Sequence, residues 1–225
     1  MAAKPRYKKG LLLGHIELTE KQAKFNKILT DKNTKVVLLK GPAGASKTFL
    51  SVYAALHLHN EDNRRDILYL RTVVESAEKS LGFLKGSLEN KFDPYVAPLE
   101  DKVKEILNEQ ERDYLAKQGV LQGSPINFIR GQDWKNKTVI LDEAQNASLK
   151  ELTTTLTRMN HNTKLFICGD PFQSDIKNSG FSQLCNLFDD AESRKNGVYA
   201  LEFDSSDIMR DEVISFILSR LEKIN

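Results

Sequence analysis

An α/β architecture, a doubly wound and mainly parallel sheet flanked by helices, is the fold class this sequence predicts. Two observations carry it. Short apolar runs alternate with longer stretches of helical spacing, the order in which crossover helices join parallel strands. One of these runs also ends in a loop of small residues that opens a helix, a junction typical of such sheets. At 225 residues, 40% hydrophobic and 28% charged, the chain can bury one substantial core, so a single domain over residues 1–225 is expected and disorder of the whole chain is excluded.

Taken in order, residues 1–10 carry Lys4, Arg6, Lys8 and Lys9 and are expected as a flexible basic tail. Strands are predicted at Lys35–Lys40, Asp66–Arg71, Ile126–Arg130, Thr138–Leu141, Lys164–Cys168 and Val198–Phe203, most of them rich in β-branched or aromatic residues and too short for helices. Lys47–Asn60 reads as a helix. Asp101–Lys117 reads as another, with Val103, Ile106, Leu107, Tyr114 and Leu115 on one stripe and a stop at Gly119. A last helix, from Ser206 or Arg210 to Lys223, places Val213, Ile214, Ile217, Leu218 and Leu221 in the core. Residues 75–124 break the alternation, with Gly82, Gly86, Pro94 and Pro98 among apolar residues, and are expected as an inserted segment on the sheet.

Thirty-three basic against 31 acidic side chains leave a net charge of +2, so a polyanion could be held only by a local patch. Two cysteines are too few for a disulfide framework, and Cys168 lies in an apolar run, which suits a reduced, cytoplasmic setting. The apolar runs are too short to span a membrane, and the N-terminus has no secretory h-region.

The chemistry begins after Val36-Val37-Leu38-Leu39, with Gly41-Pro42-Ala43-Gly44-Ala45-Ser46-Lys47-Thr48 opening an apolar helix at Phe49. Small residues let backbone N–H groups wrap phosphates at a helix N-terminus, Lys47 adds a point charge, and the Thr48 hydroxyl can ligate Mg²⁺. The stretch departs from G-x-x-x-x-G-K-[ST] at Ser46, which stands where the second glycine is expected. Serine is costly there only if the loop needs a glycine-only conformation. Candidate nucleotide contacts are therefore Gly41, Pro42, Ala43, Gly44, Ala45, Ser46, Lys47, Thr48 and Phe49.

A second run, Val139-Ile140-Leu141-Asp142-Glu143-Ala144-Gln145, places two carboxylates at a strand exit. Asp142 is the candidate metal-holding acid, together with Thr48; Glu143 is the candidate activator of the attacking water, a role that favours hydrolysis of ATP over transfer to an acceptor. The bland alternative is a helix N-cap with acids against the dipole. A third run, Leu165 to Cys168 followed by Gly169-Asp170-Pro171-Phe172-Gln173, offers Gln173 as a sensor of the γ-phosphate, or else a simple turn.

Together these stretches resemble the PhoH family, P-loop ATPases related to the first motor domain of superfamily 1 helicases, with a RecA-like fold. Arg71-Thr72-Val73-Val74-Glu75, Leu81-Gly82-Phe83-Leu84, Asp93-Pro94-Tyr95, Phe128-Ile129-Arg130-Gly131 and Leu156-Thr157-Arg158 are similar to segments of that family. The resemblance implies that Gln22 reads adenine, that Lys47, Glu143, Gln173 and Arg210 act in catalysis, and that Arg210 serves as an arginine finger. It also implies ATP and Mg²⁺ as cofactors, RNA or single-stranded DNA as partner, and a homo-oligomer, with a hexameric ring as one form. The chain's length suggests a minimal form such as bacteriophages carry.

Other constellations are weaker. His57 and His59 point to different faces of a helix, Cys168 reads as a buried hydrophobe, and Trp134 reads as packing rather than a base-stacking platform. Arg71, Thr72 and Arg130 are candidates for contacting a nucleic-acid backbone. Three functions remain open: an ATP-driven nucleic-acid motor or remodeller, a slow ATP-dependent oligomeric switch acting through a protein, and a small-molecule kinase.

Overall fold

A computed structural model of the chain describes residues 10–72 and 88–208 together with Ile217 and Arg220, side chains within 88–95 excepted. Six parallel strands form one sheet in the order β3-β2-β4-β5-β1-β6. They are β1 (Val36–Lys40), β2 (Asp66–Arg71), β3 (Leu121–Pro125), β4 (Lys137–Asp142), β5 (Lys164–Gly169) and β6 (Val198–Glu202). Seven α-helices accompany them among the described residues: α1 (Glu20–Thr30), α2 (Lys47–Glu61), α3 (Leu88–Ile106), α4 (Glu109–Lys117), α5 (Leu149–Leu156), α6 (Phe181–Leu187) and α7 (Ala191–Lys195).

The central strands are continuous apolar runs because both faces of the sheet are covered. Val37 and Leu39 of β1 face a core with Leu50 and Ala54 of α2, whereas Val36 and Leu38 face a second core with Ile167 and Phe181. Parallel register aligns the strand ends: Lys40 of β1 pairs with Gly169 of β5, and Arg71 of β2 pairs with Asp142 of β4. Every loop that follows these strands thus leaves from one edge. α1 starts with a reciprocal cap in which Gln22 N donates to Thr19 Oγ1 and Thr19 N donates to Gln22 Oε1.

The strand expected at Ile126–Arg130 is a correction. The edge strand is Leu121–Pro125, and Ile126–Phe128 is a 3₁₀ turn. Burial of Ile126 and Ile129 with Phe128 exposed is helical spacing, and Pro125 has no N–H to extend a ladder. Gly123 hides the strand in the sequence, yet a Cβ there would lie 2.3 Å from Val96 Cγ2, so α3 can pack on β3 only over a glycine.

The single helix expected over 101–117 is two, α3 and α4, divided where the Asn108 side chain accepts from Glu111 N. Its apolar stripe is kept: Val103, Ile106, Leu107 and Leu115 are buried. The segment expected as an insertion contains α3, α4 and most of β3, so its described part also completes the sheet edge. The last helix does not start at Ser206, since Ser205–Asp207 is a 3₁₀ turn followed by an extended Ile208; of its expected stripe only Ile217 is described, and at 44% exposed it is not core, while Val213, Ile214, Leu218, Leu221 and the tail over residues 1–9 lie outside the described residues. So do Val73, Val74, Glu75 and Leu81-Gly82-Phe83-Leu84.

Trp134 is buried, its indole N–H donating to Gln132 Oε1. His59 is buried with Nδ1 against the Arg65 carbonyl, while His57 packs edge-on to Tyr53. Cys168 lies beside Ser51 Oγ, and burial pushes its thiol up to about 12. No described helix is long and apolar enough to cross a membrane.

Candidate active site

The loop after β1 is shaped by a close approach. Gly41 has φ +153°, and a Cβ there would stand 2.7 Å from both the Cβ and the carbonyl oxygen of Phe203. Ser46, at the N-cap of α2, has φ 61° and ψ 21°, the left-handed region, and its side chain makes no capping bond. The loop therefore does place serine in the conformation that suits glycine, at a cost of about 1–2 kcal/mol. Lys47 Nζ donates to the carbonyls of Gly41 and Pro42, each at 2.8 Å. Burial draws its ammonium below the ordinary lysine range, opposed first by the charge of Asp170.

Asp142 closes β4 at 8% exposure. Its Oδ1 accepts from Thr48 Oγ1 and from Glu143 N, both at 3.0 Å, and its Oδ2 accepts from the Tyr69 hydroxyl at 2.6 Å. Burial, then the Asp142 charge, raise the Tyr69 phenol far above its ordinary value, so it remains a donor. Two hard oxygen donors, the Thr48 hydroxyl and the Asp142 carboxylate, thus stand side by side, a donor set that suits Mg²⁺.

Glu143 follows in the left-handed region, φ 55° and ψ 36°, an uncommon conformation for a non-glycine residue that turns the chain sharply off the strand. It does stand at the N-cap of the short turn Ala144–Asn146, as the bland reading anticipated, but without a side-chain cap bond. Its carboxylate accepts instead from Gln145 Nε2 at 2.6 Å and lies 3.8 Å from Arg71, while its carbonyl accepts from Thr72 Oγ1 at 2.7 Å. Arg71 and Thr72, candidates for nucleic-acid contact, are here turned toward Glu143.

Gln145, 1% exposed, also accepts from Asp170 N at 3.0 Å. Asp170 uses one oxygen to cap the turn Pro171–Gln173 and the other to accept from Ala43 N at 2.9 Å. One line of hydrogen bonds therefore runs from Glu143 through Gln145 and Asp170 to the loop amide of Ala43.

These groups share a cleft of about 390 Å³ whose lining includes Ser46, Lys47, Thr48, Phe49, Asp142, Glu143 and Gln173. Gln22 is 2% exposed and is not in that lining; it sits in the first turn of α1, next to Lys21, which pairs with Asp204 and Asp207 just beyond Phe203. Arg210 lies outside the described residues. Nothing in the sequence singled out Tyr69, Lys102 or Glu105, the last two of which reach the cleft from α3. Gln145 and Asp170 were within the motifs but without roles. Their spacing from Glu143 and Gln173 was the available signal.

Parallel sheet, phosphate-type loop and strand-end acids in one cleft define the class: a P-loop NTPase fold. The chain belongs to the PhoH-like protein family, which matches it over residues 16–222. It is 33% identical over 194 residues to the PhoH-like protein of Bacillus subtilis (strain 168), covering 86% of this chain and 60% of that one. With Protein PhoH of Escherichia coli (strain K12) it shares 30% identity over 182 residues, 78% of this chain and 51% of the relative. The chain thus spans roughly half to three-fifths of these curated relatives. Among solved structures, the large terminase of a thermophilic bacteriophage in complex with ADP superposes with a TM-score of 0.55 at 12% identity, over 91% of this chain and 50% of that one, a likeness of fold alone.

Proposed function

We propose that this chain is an Mg²⁺-dependent ATPase that couples hydrolysis to unwinding, moving along or remodelling RNA or single-stranded DNA. The observation that carries the reading is the Thr48–Asp142 contact at 3.0 Å with Glu143 beside it in the same cleft as Lys47. In this reading the loop amides and the Lys47 ammonium hold the β- and γ-phosphates. Thr48 and Asp142 would hold Mg²⁺, which withdraws charge from phosphate oxygens when bound. Glu143 accepts a proton from the attacking water, Gln145 fixes the direction of that carboxylate, and Gln173 reports on the γ-phosphate. The ADP-bound terminase of like fold supports a nucleotide in such a site.

The finer roles belong to the same proposal: Gln22 reading adenine, Arg210 as an arginine finger from a neighbouring subunit, residues 1–225 as one ATPase domain, assembly into a ring, and a cytoplasmic setting. A second reading, a slow oligomeric switch, is favoured by the left-handed Ser46, a strained residue in the loop itself.

The experiment is ATPase turnover at low salt with and without single-stranded RNA and DNA, with two controls. Lys47→Ala is expected to lose about 10²-fold in ATP affinity, since a buried charge-assisted contact is worth about 3 kcal/mol. Glu143→Gln should bind ATP and lose at least about 10²-fold in turnover. Wild-type turnover in both variants overturns the site. Turnover indifferent to both polymers, with assembly that follows the nucleotide, selects the switch.

A further inference from the structure

We infer that the groove between the turn after β3 and the start of α5 is where this chain grips a single-stranded polynucleotide; the inference rests on the nucleic-acid reading above and assigns it a surface. The groove is a cleft of about 400 Å³ with Asn127 and Arg130 on one wall and Lys150 and Thr154 on the other. Its shape follows from the 3₁₀ turn: with Ile126 and Ile129 buried, Asn127 faces the groove, while Phe128, a residue 48% exposed, stands on the same turn outside the groove's lining.

The charge of the groove is positive. Arg130 and Lys150 are exposed, and among the described residues neither is in an ion pair. The one carboxylate among the described residues of the lining, Glu151, is occupied in the α5 capping box, where it accepts from the N–H and the hydroxyl of Ser148. Two other clefts among the described residues are poorer anion sites. The one beside Gly41 contains Glu202, already paired with Lys40, and Asp204, while that at the end of α2 contains Glu61 and Asp62.

Two cations suited to phosphates, with an exposed aromatic residue on the turn beside them, are the combination that single-stranded chains require, because their bases are free to stack. A duplex hides its base faces, so the ring favours a single strand. The groove is also joined through the chain to the proposed hydrolytic residues. Its α5 wall begins at Leu149, six residues after Glu143, and the intervening Gln145 is the residue that holds Glu143 and the Asp170 amide. A strand pressing on α5 has a short covalent path to the cleft.

The test uses the full chain and labelled oligo-uridine RNA and oligo-thymidine DNA, with binding read by fluorescence anisotropy over a salt series. Arg130→Ala/Lys150→Ala should bind more weakly and flatten the slope of log K against log salt by about 1.4, two phosphate contacts at roughly 0.7 each. Phe128→Ala should weaken binding about tenfold and leave the slope unchanged. Lys195→Ala, on α7 away from the groove, should bind as wild type, and all four proteins should keep basal ATPase activity. If wild type binds neither polymer, the nucleic-acid reading itself falls. If wild type binds and the groove variants match it in affinity and slope, the surface assignment falls while the reading stands.

Discussion

Two residues, Ser46 in the lining of the cleft and Tyr69 buried behind Asp142, carry effects that a variant can isolate. Ser46 adopts left-handed dihedrals without a compensating side-chain bond. Ser46→Gly removes the Cβ clash and gives back part of that gain as unfolded-chain entropy, leaving a net stabilisation of about 0.5 kcal/mol. A rise in urea midpoint at constant m is the expected result, and a fall would show that the serine is unstrained. Tyr69 donates the only described hydrogen bond to Asp142 Oδ2, in a buried setting. Tyr69→Phe should cost about 1.5–3 kcal/mol, the worth of a hydrogen bond to a charged group, and raise the Mg²⁺ concentration needed for half-maximal turnover. Unchanged stability and Mg²⁺ response would mean the hydroxyl does not position the carboxylate. Ser46 was legible as a departure from the loop pattern, because the pattern is local. Tyr69 was not: on a strand of apolar residues, nothing marks one aromatic as the donor to an acid 73 residues away.

Elements were legible wherever their own spacing matched their burial. β1, β2, β4, β5 and β6 fall within a residue or so of expectation because each is an apolar run bounded by turn residues. β3 failed that test: Leu121-Gln122-Gly123-Ser124-Pro125 has no strand pattern, and it is a strand because β2 pairs with it and α3 lies over it. The division of α3 from α4 depends on one side chain. Asn108→Ala should lose about 1 kcal/mol of stability, the usual worth of an N-cap, seen as a lower urea midpoint; no change would mean the break is held by packing alone. α3 matters beyond stability, since it carries Lys102 and Glu105 to the cleft.

At the scale of the molecule, layers are joined at the amino edge of the sheet by Lys164, 3% exposed, which donates to the carbonyls of Leu29 and Asp31 at the end of α1. Burial lowers its amine to about 8, helped by the charges of Arg65 and Lys35. The folded amine thus releases its proton before the unfolded one. Between about pH 8 and the ordinary lysine value near 10.4, the unfolded chain holds more protons, and stability contributed by this site rises with pH, by at most about 1.4 kcal/mol per unit. Below pH 8 both states are protonated and the burial cost is present in full. Urea midpoints at pH 8 and 10 should therefore show a wild-type rise that Lys164→Met lacks; parallel behaviour of the two proteins would refute the assignment.

What the sequence by itself determined is local: the alternation that makes an α/β sheet, the loop from Gly41 to Thr48, and the acids at the exit of β4. These are short-range patterns, set by strand and helix periods and by the backbone needs of a phosphate loop. Only the tertiary structure decided which distant groups meet them. Parallel register brought the ends of β1, β2, β4 and β5 to one edge, and so joined Thr48 to Asp142, Tyr69 to Asp142, and Ala43 to Asp170. Those contacts arise from strand order, and strand order is fixed by how the helices cover both faces of the sheet at once, which no single segment encodes.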